Sequence, residues 1–225
     1  MVLVSGFAIS QLQPGSPFLA ILAGATLFAI AWFMPRLATA ALVAAIAIGL
    51  LMLPFITELQ PIITGLIRNL GFSEFSLNHR MAIWQFASEH SLARPVLGWG
   101  LDASRVVGVG QEVVVDDAPN LRFRSVDVLP LHPHNALLQA WLELGAIGAL
   151  LLGALFTSAV FAIRRHLRGR LEHAAASAAF AAAFVNAELS FGIWQGWWLS
   201  CLALVVVLIA ALTAATGADH FPETT

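Results

Sequence analysis

The chain has no lysine, no tyrosine and a single cysteine, and only 11% of its 225 residues are charged. Each scarcity excludes something. Cys201 alone can build neither a disulfide framework nor a multi-cysteine metal site. A formal net charge of −2 leaves no broad basic surface, so no nucleic acid is expected as a partner. So few charges cannot cover a soluble globule either. With 59% hydrophobic residues and a mean hydropathy of +0.84, the chain belongs with integral membrane proteins. All eleven basic residues are arginine. A GC-rich genome explains that bias, and a diphosphate ligand would also suit it, because a guanidinium forks onto two oxygens at once.

What is present is ordered by length. Apolar segments at about 18–34, 37–56, 135–163, 174–191 and 197–215 each approach the roughly 20 residues needed to cross a bilayer. They predict an all-α polytopic membrane protein with about five transmembrane helices and one large loop. Four arginines in a short stretch (Arg164, Arg165, Arg168 and Arg170) mark a cytoplasmic connection. The loop at 57–134, with six arginines and eight acids, is then periplasmic, and the tail at 217–225 is cytoplasmic. Residues 1–56 form an N-terminal stub with two helices, and 135–216 hold the other three. The start lacks the basic region of a signal peptide. It falls on the outer side, so the chain is expected to be the C-terminal part of a longer protein.

Inside the 57–134 loop, residues 78–91 read as an amphipathic helix whose Ile83, Trp84 and Phe86 suit a bilayer surface. Pro95 lies beyond its end, and Gly98-Trp99-Gly100 is turn chemistry. Residues 113–115 and 121–128 suggest two short strands around a loop. Trp194, Trp197 and Trp198 form an interfacial aromatic cluster.

The stretch from Leu131 to Gly148 couples chemistry to a helix start. Asn135 is a good N-cap, and Asn135, Gln139 and Glu143 follow at i, i+4 and i+8 on one face. A polar stripe in a lipid-compatible helix must face protein or a wet cavity, so it reads as the floor of a site. Glu143 suits either a structural bond between helices or chemistry. Glu188, with Asn186, lies toward the same end and would complete the pocket. His134 at the helix mouth is either idle or a base, since imidazole titrates near neutrality. Arg80 either snorkels or binds an anion. Arg122 and Arg124 share one strand face, which is either solvated or grips phosphate. His132-Pro133-His134 with Asp116, Asp117 or Asp127 offers no fixed third zinc ligand, so no metal is expected.

Two blocks in fixed order carry a resemblance. Arg80, Trp84, Pro95, Gly98 and Gly100 form an R-x3-W helix closing on a P-x2-G-x-G turn, and His134-Asn135 leads to Leu138, Glu143, Gly145 and Gly148. Together they resemble the O-antigen ligase/O-antigen polymerase superfamily over roughly residues 35–215. The resemblance implies a glycan moved from undecaprenyl diphosphate to an acceptor hydroxyl, with inversion at the anomeric carbon and no cofactor. The acceptor would be lipid A-core, a growing polysaccharide or a protein side chain, and membrane lipids surround the enzyme in the bacterial inner membrane. The resemblance casts His134 as general base or acceptor-orienting group. Arg80, with Arg122 or Arg124, would neutralise the diphosphate, and Asn135, Glu143 and Glu188 would line the substrate pocket. The chain is shorter than such enzymes, with about half their membrane crossings. Two other classes stay open: a non-catalytic remnant or subunit, and an export component passing a polar solute through a Glu143–Glu188 pocket. Transporters tend to show paired half-repeats, and none is seen.

Overall fold

The structure, a computed structural model, describes residues 15–68, 74–117 and 122–218. Two helices open it, α1 (Ser16–Phe33) and α2 (Pro35–Met52). Met34 between them leaves helical geometry at φ −136° and ψ 68°. Proline clashes with a helical conformation in the residue before it, then starts a helix well because its missing N–H needs no partner there. A 3-10 turn, Leu53–Phe55, bends the chain into α3 (Ile56–Arg68), and α4 (Glu74–Ala93) returns along it. A loop holding the one-turn helix α5 (Ser104–Val107) leads to β1 (Glu112–Asp117) and β2 (Arg122–Asp127). The strands form an antiparallel hairpin with Glu112 opposite Asp127 and Asp117 opposite Arg122. Helices α6 (Ala136–His166), α7 (Arg170–Leu189) and α8 (Gly196–Ala218) follow.

Helices thus cover all five expected apolar segments, and the hairpin covers the two expected strands. Among the described residues, three stretches are long and apolar enough to cross a bilayer by length and composition: Ser16–Phe33, Pro35–Ile62 and Ala136–His166. In α7, alanines and the charges at Arg170, Glu172 and Glu188 dilute the hydropathy, while α8 carries a shorter apolar run, Gly196–Ala211. Helix α1 lies along α7, and α2 along α6. At Gly24 an added Cβ would stand 3.1 Å from the Ala178 carbonyl oxygen, so the two backbones nearly touch. Lipid tails are as apolar as leucine, so close approach through small residues is what holds such helices together. Phe156 on α6 meets Phe180 and Phe184 on α7 edge to face, with ring centres 6.2 and 5.7 Å apart.

Helix α4 departs from the expected surface helix. It begins at Glu74 and packs on α6, burying Met81, Ile83, Trp84 and Phe86 with Leu53, Leu137, Leu138 and Leu142. Its apolar face therefore meets protein in place of the bilayer surface. Trp99 is likewise a pin inside the protein, donating to the His90 carbonyl at 2.8 Å with Arg94 stacked 4.0 Å over its ring.

Candidate active site

The site gathers where α4, the start of α6 and the end of α7 converge. Pro133 is fully buried, and Trp84 of α4 donates its indole N–H to the Pro133 carbonyl at 2.8 Å. Asn135 caps α6, accepting the Leu138 backbone N–H at 2.8 Å. Between these fixed points His134 adopts φ +54°, a left-handed conformation that costs a side-chain-bearing residue on the order of 1–2 kcal/mol. Its backbone N–H is taken up by Nδ1 of His132 at 3.1 Å, and the two imidazoles meet edge to face at 4.4 Å. Gly192 makes room for that arrangement, because a Cβ there would stand 2.9 Å from the His132 ring.

The tautomer of His134 follows from one contact. Its Nδ1 lies 2.8 Å from the Ser190 carbonyl oxygen, just beyond the end of α7. A carbonyl only accepts, so Nδ1 carries the hydrogen and Nε2 of the neutral ring presents its lone pair. Burial is the largest influence on the ring and lowers its pKa below the ordinary 6.5. The Ser190 bond pulls the other way, and the charges of Arg80 and His79 add to the lowering. His132 is pushed further, to about 4, by burial first and then by His134 and Arg105. Both imidazoles are therefore neutral at neutral pH. Since Nδ1 of His132 accepts, its Nε2 carries the hydrogen, which the Gln195 side-chain amide 3.3 Å away can accept only through its oxygen.

Arg80 reaches across from α4 and donates to the Leu189 carbonyl at the end of α7. That end bears the negative pole of the helix, a natural seat for a cation. Burial lowers the Arg80 pKa below its ordinary value. Glu188, one residue back on α7, buries its carboxylate beside the Asn135 side chain and the Leu137 backbone, and neither of its oxygens makes a well-formed hydrogen bond.

Deeper in the protein the Asn135–Gln139–Glu143 stripe is a closed network. Gln139 accepts the Ile193 N–H at 3.0 Å and donates to Glu143 at 2.9 Å. Glu143 is 0% exposed. It also accepts from the Asp102 backbone at 2.9 Å, from the Trp194 indole at 2.5 Å and from the Ser104 hydroxyl. Four donors occupy its carboxylate, so it ties the 102–104 loop and the connection between α7 and α8 to α6 where the sequence suggested a substrate contact.

The two sequence blocks prove to be physically joined at this level. Gly145 breaks α6 with φ +63°, and the 95–100 loop lies against the break. Trp99 and Gly100 donate to the Leu142 and Glu143 carbonyls at 3.0 and 2.8 Å, and Ala146 donates to the Pro95 carbonyl at 2.8 Å. A Cβ on Gly98 would stand 2.4 Å from the Glu143 carbonyl carbon, and one on Gly145 2.4 Å from that of Val96. Only glycine fits at either position.

The structure thus brings His134, Asn135, Arg80 and Glu188 together, with Glu143 beneath them. Arg122 and Arg124 lie on β2, in register with Asp117 and Val115, and their side chains fall outside the described residues. The base of the hairpin reaches the site through His79, whose Nε2 is 3.4 Å from the Asp127 carbonyl. Sequence reasoning missed the carbonyls of Leu189 and Ser190, because a backbone acceptor has no residue signature. It also missed Ser104, and it read Trp194 only as an interface anchor. Beside the site an apolar cavity of about 320 Å³ opens between α6, α7 and α8, lined by Ala136, Ala140, Gly148, Phe184 and Trp198 among others.

A bundle of apolar helices carrying a histidine, an arginine and a buried carboxylate at one end defines a membrane protein with a polar cluster set into one end of its helices. The sequence pattern of the O-antigen ligase family matches residues 1–153, and the chain belongs to that family. It is 30% identical over 196 residues to a Rickettsia conorii protein named as a putative polysaccharide ligase, covering 87% of this chain and 46% of that one. Similarly named proteins of Rickettsia prowazekii and Rickettsia felis are 32% and 33% identical, each over 61% of this chain and 33% and 32% of theirs. The chain thus spans about half the length, or less, of these curated relatives. No solved structure matches it.

Proposed function

We propose that the protein transfers a glycan from undecaprenyl diphosphate to an acceptor hydroxyl at the periplasmic face of the bacterial inner membrane. The observation that carries this reading is the His134 Nδ1–H···O=C Ser190 contact, which leaves Nε2 as a lone-pair base beside Arg80. In the reaction Nε2 takes the proton of the acceptor hydroxyl as its oxygen attacks the anomeric carbon. The bond from that carbon to the diphosphate oxygen breaks on the opposite face, giving inversion. The electron pair leaves with the diphosphate, and Arg80 neutralises the growing charge. Arg122 and Arg124 on the hairpin add to that positive field.

The apolar cavity beginning at Ala136 suits the first part of a polyprenyl tail, since it adjoins the polar site and is walled by small and aromatic residues. Helices α7 and α8 cross the bilayer with α1, α2 and α6, giving five spans. The arginine-rich connection at 164–170 lies at the far end of α6 from His134, which supports the site being periplasmic. The acceptor is lipid A-core, a polysaccharide or a protein side chain.

The test is surface glycan transfer in a ligase- or polymerase-null strain, with membrane protein levels measured in parallel. His134→Ala should lower transfer by about 10²–10⁴, while His132→Ala costs much less. Arg80→Lys should lose most activity because the bidentate fork is gone, whereas Arg122→Lys and Arg124→Lys are milder. Normal transfer by His134→Ala would overturn the assignment.

A further inference from the structure

The opposite end of the molecule holds a second charged concavity that glycan transfer does not use. A cavity of about 510 Å³ lies where α1 ends, α2 starts and the 164–170 connection turns into α7. Trp32, Arg164, Arg165, Arg168, Arg170 and His173 line it. The arginines stand exposed around its rim. His173 is 5% exposed; the Ile163 backbone lies beside its ring, and neither ring nitrogen makes a well-formed hydrogen bond. Glu172, the nearest acid in sequence, turns back over Gly169 and is not part of the lining.

The arginine asymmetry alone would explain orientation in the membrane, since positive residues mark the cytoplasmic side wherever they are placed. It does not require the arginines to surround a hollow, nor a buried imidazole whose ring nitrogens make no well-formed hydrogen bond. The depth of the hollow is also informative. Ser16–Phe33 and Ala136–His166 are both stretches fit to cross a bilayer, and the hollow is lined by the last residues of each. It therefore sits at headgroup level, with the exposed Phe33 in its lining. Several guanidiniums, an imidazole donor and an aromatic wall at that depth match a phosphate that carries acyl chains.

We propose that this cavity binds the phosphate of an anionic phospholipid of the cytoplasmic leaflet, with the arginines gripping its oxygens and His173 donating from within. The proposal does not depend on the transferase reading, because the site is at the other end of α6 and its test reads lipid binding.

The experiment is native mass spectrometry of the delipidated full chain in detergent, titrated separately with phosphatidylglycerol, phosphatidylcholine and inorganic phosphate. Phosphatidylglycerol should bind at one saturable site and phosphatidylcholine should not. Each arginine near an anionic headgroup contributes about fivefold, so Arg168→Gln combined with Arg170→Gln should weaken binding about thirtyfold. That pair keeps Arg164 and Arg165 and with them the orientation signal. His173→Ala should weaken binding as well, and Arg36→Gln, basic at the same end but outside the lining, should leave it unchanged. An equal response to both lipids, or an effect of Arg36→Gln as large per charge as that of the pair, would overturn the proposal. Inorganic phosphate binding as tightly as phosphatidylglycerol would overturn the lipid assignment.

Discussion

The two halves of α6 are joined to their neighbours by different means. Above Gly145 the helix is pinned by directed polar contacts. Trp84, Trp194, Asp102 and Ser104 all donate to it or to the turn before it, and the 95–100 loop bonds to its backbone. Below Gly145 its contacts to α2 and α7 are packing: Gly153 against Leu50, and Phe156 among Phe180 and Phe184. Packing tolerates small slides, whereas a network of short hydrogen bonds does not. The half that must hold His134 in one tautomer and one strained conformation is the half built from hydrogen bonds.

Substituting one glycine in each half gives the largest contrast. Gly145→Ala places a methyl against the Val96 backbone at a positive φ and should cost on the order of 3–5 kcal/mol, read as a lowered unfolding temperature in detergent. Gly153→Ala meets the end of the flexible Leu50 side chain, which can swing aside, and should cost about 1 kcal/mol. Equal costs would erase the distinction between the halves.

The site itself should separate activity from stability. His134→Ala and His134→Gly should both lose transfer, but the glycine variant should be the more stable by about 1 kcal/mol, because it alone relieves the left-handed strain. A less stable glycine variant would mean that the contacts of the imidazole, and not its backbone, decide this position.

A smaller effect is expected at Glu143. Glu143→Gln turns an acceptor-only group into one with an N–H₂ aimed at existing donors, costing about 2 kcal/mol. Transfer should fall with unchanged pH dependence, as befits a positioning residue. A shifted pH profile would make Glu143 a participant in the proton transfer.

The smallest effect concerns charge. The folded pKa of His134 lies below 6.5, so the neutral base survives as pH falls through 6.5 and is lost only at the lower midpoint. Arg80→Gln removes one of the influences that lower it. The midpoint followed by imidazole NMR should therefore move up slightly, with burial still holding it below the ordinary value. No movement would place Arg80 too far from the ring to serve the same substrate.

This contrast also sorts what was legible in the residues. The apolar segments, the hairpin, the Asn135 cap and the protein-facing stripe could be read, because each follows from the period or the hydrogen-bonding capacity of its own residues. The break at Gly145 could not. Its residue type suggested close helix packing, and the backbone bonds to 95–100 that cause the break leave no side-chain signature. For Ile83, Trp84 and Phe86 the pattern was right and the partner wrong. An amphipathic face reports that something apolar covers it, not whether that is lipid or protein. Glu143 was found as a polar residue in need of partners, but the four donors that meet it come from places far apart in sequence.

The break in α6 also bears on hydrophobic thickness. The whole helix would be about 46 Å long if straight, well beyond the roughly 30 Å of a bilayer interior. Its first ten residues, Ala136 to Gly145, include none that is exposed, whereas exposed residues recur below, among them Ile147, Leu150, Leu151 and Leu155. Residues 146–163 alone would extend about 27 Å, close to one bilayer interior. The kink thus divides a half of α6 enclosed by protein from a half whose exposed residues can face acyl chains. The first turns of α6 stand inside a collar of protein, so Glu143 carries none of the cost of a carboxylate in lipid. In the proposed reaction, the polar head bound by His134 and Arg80 would not have to enter the hydrocarbon.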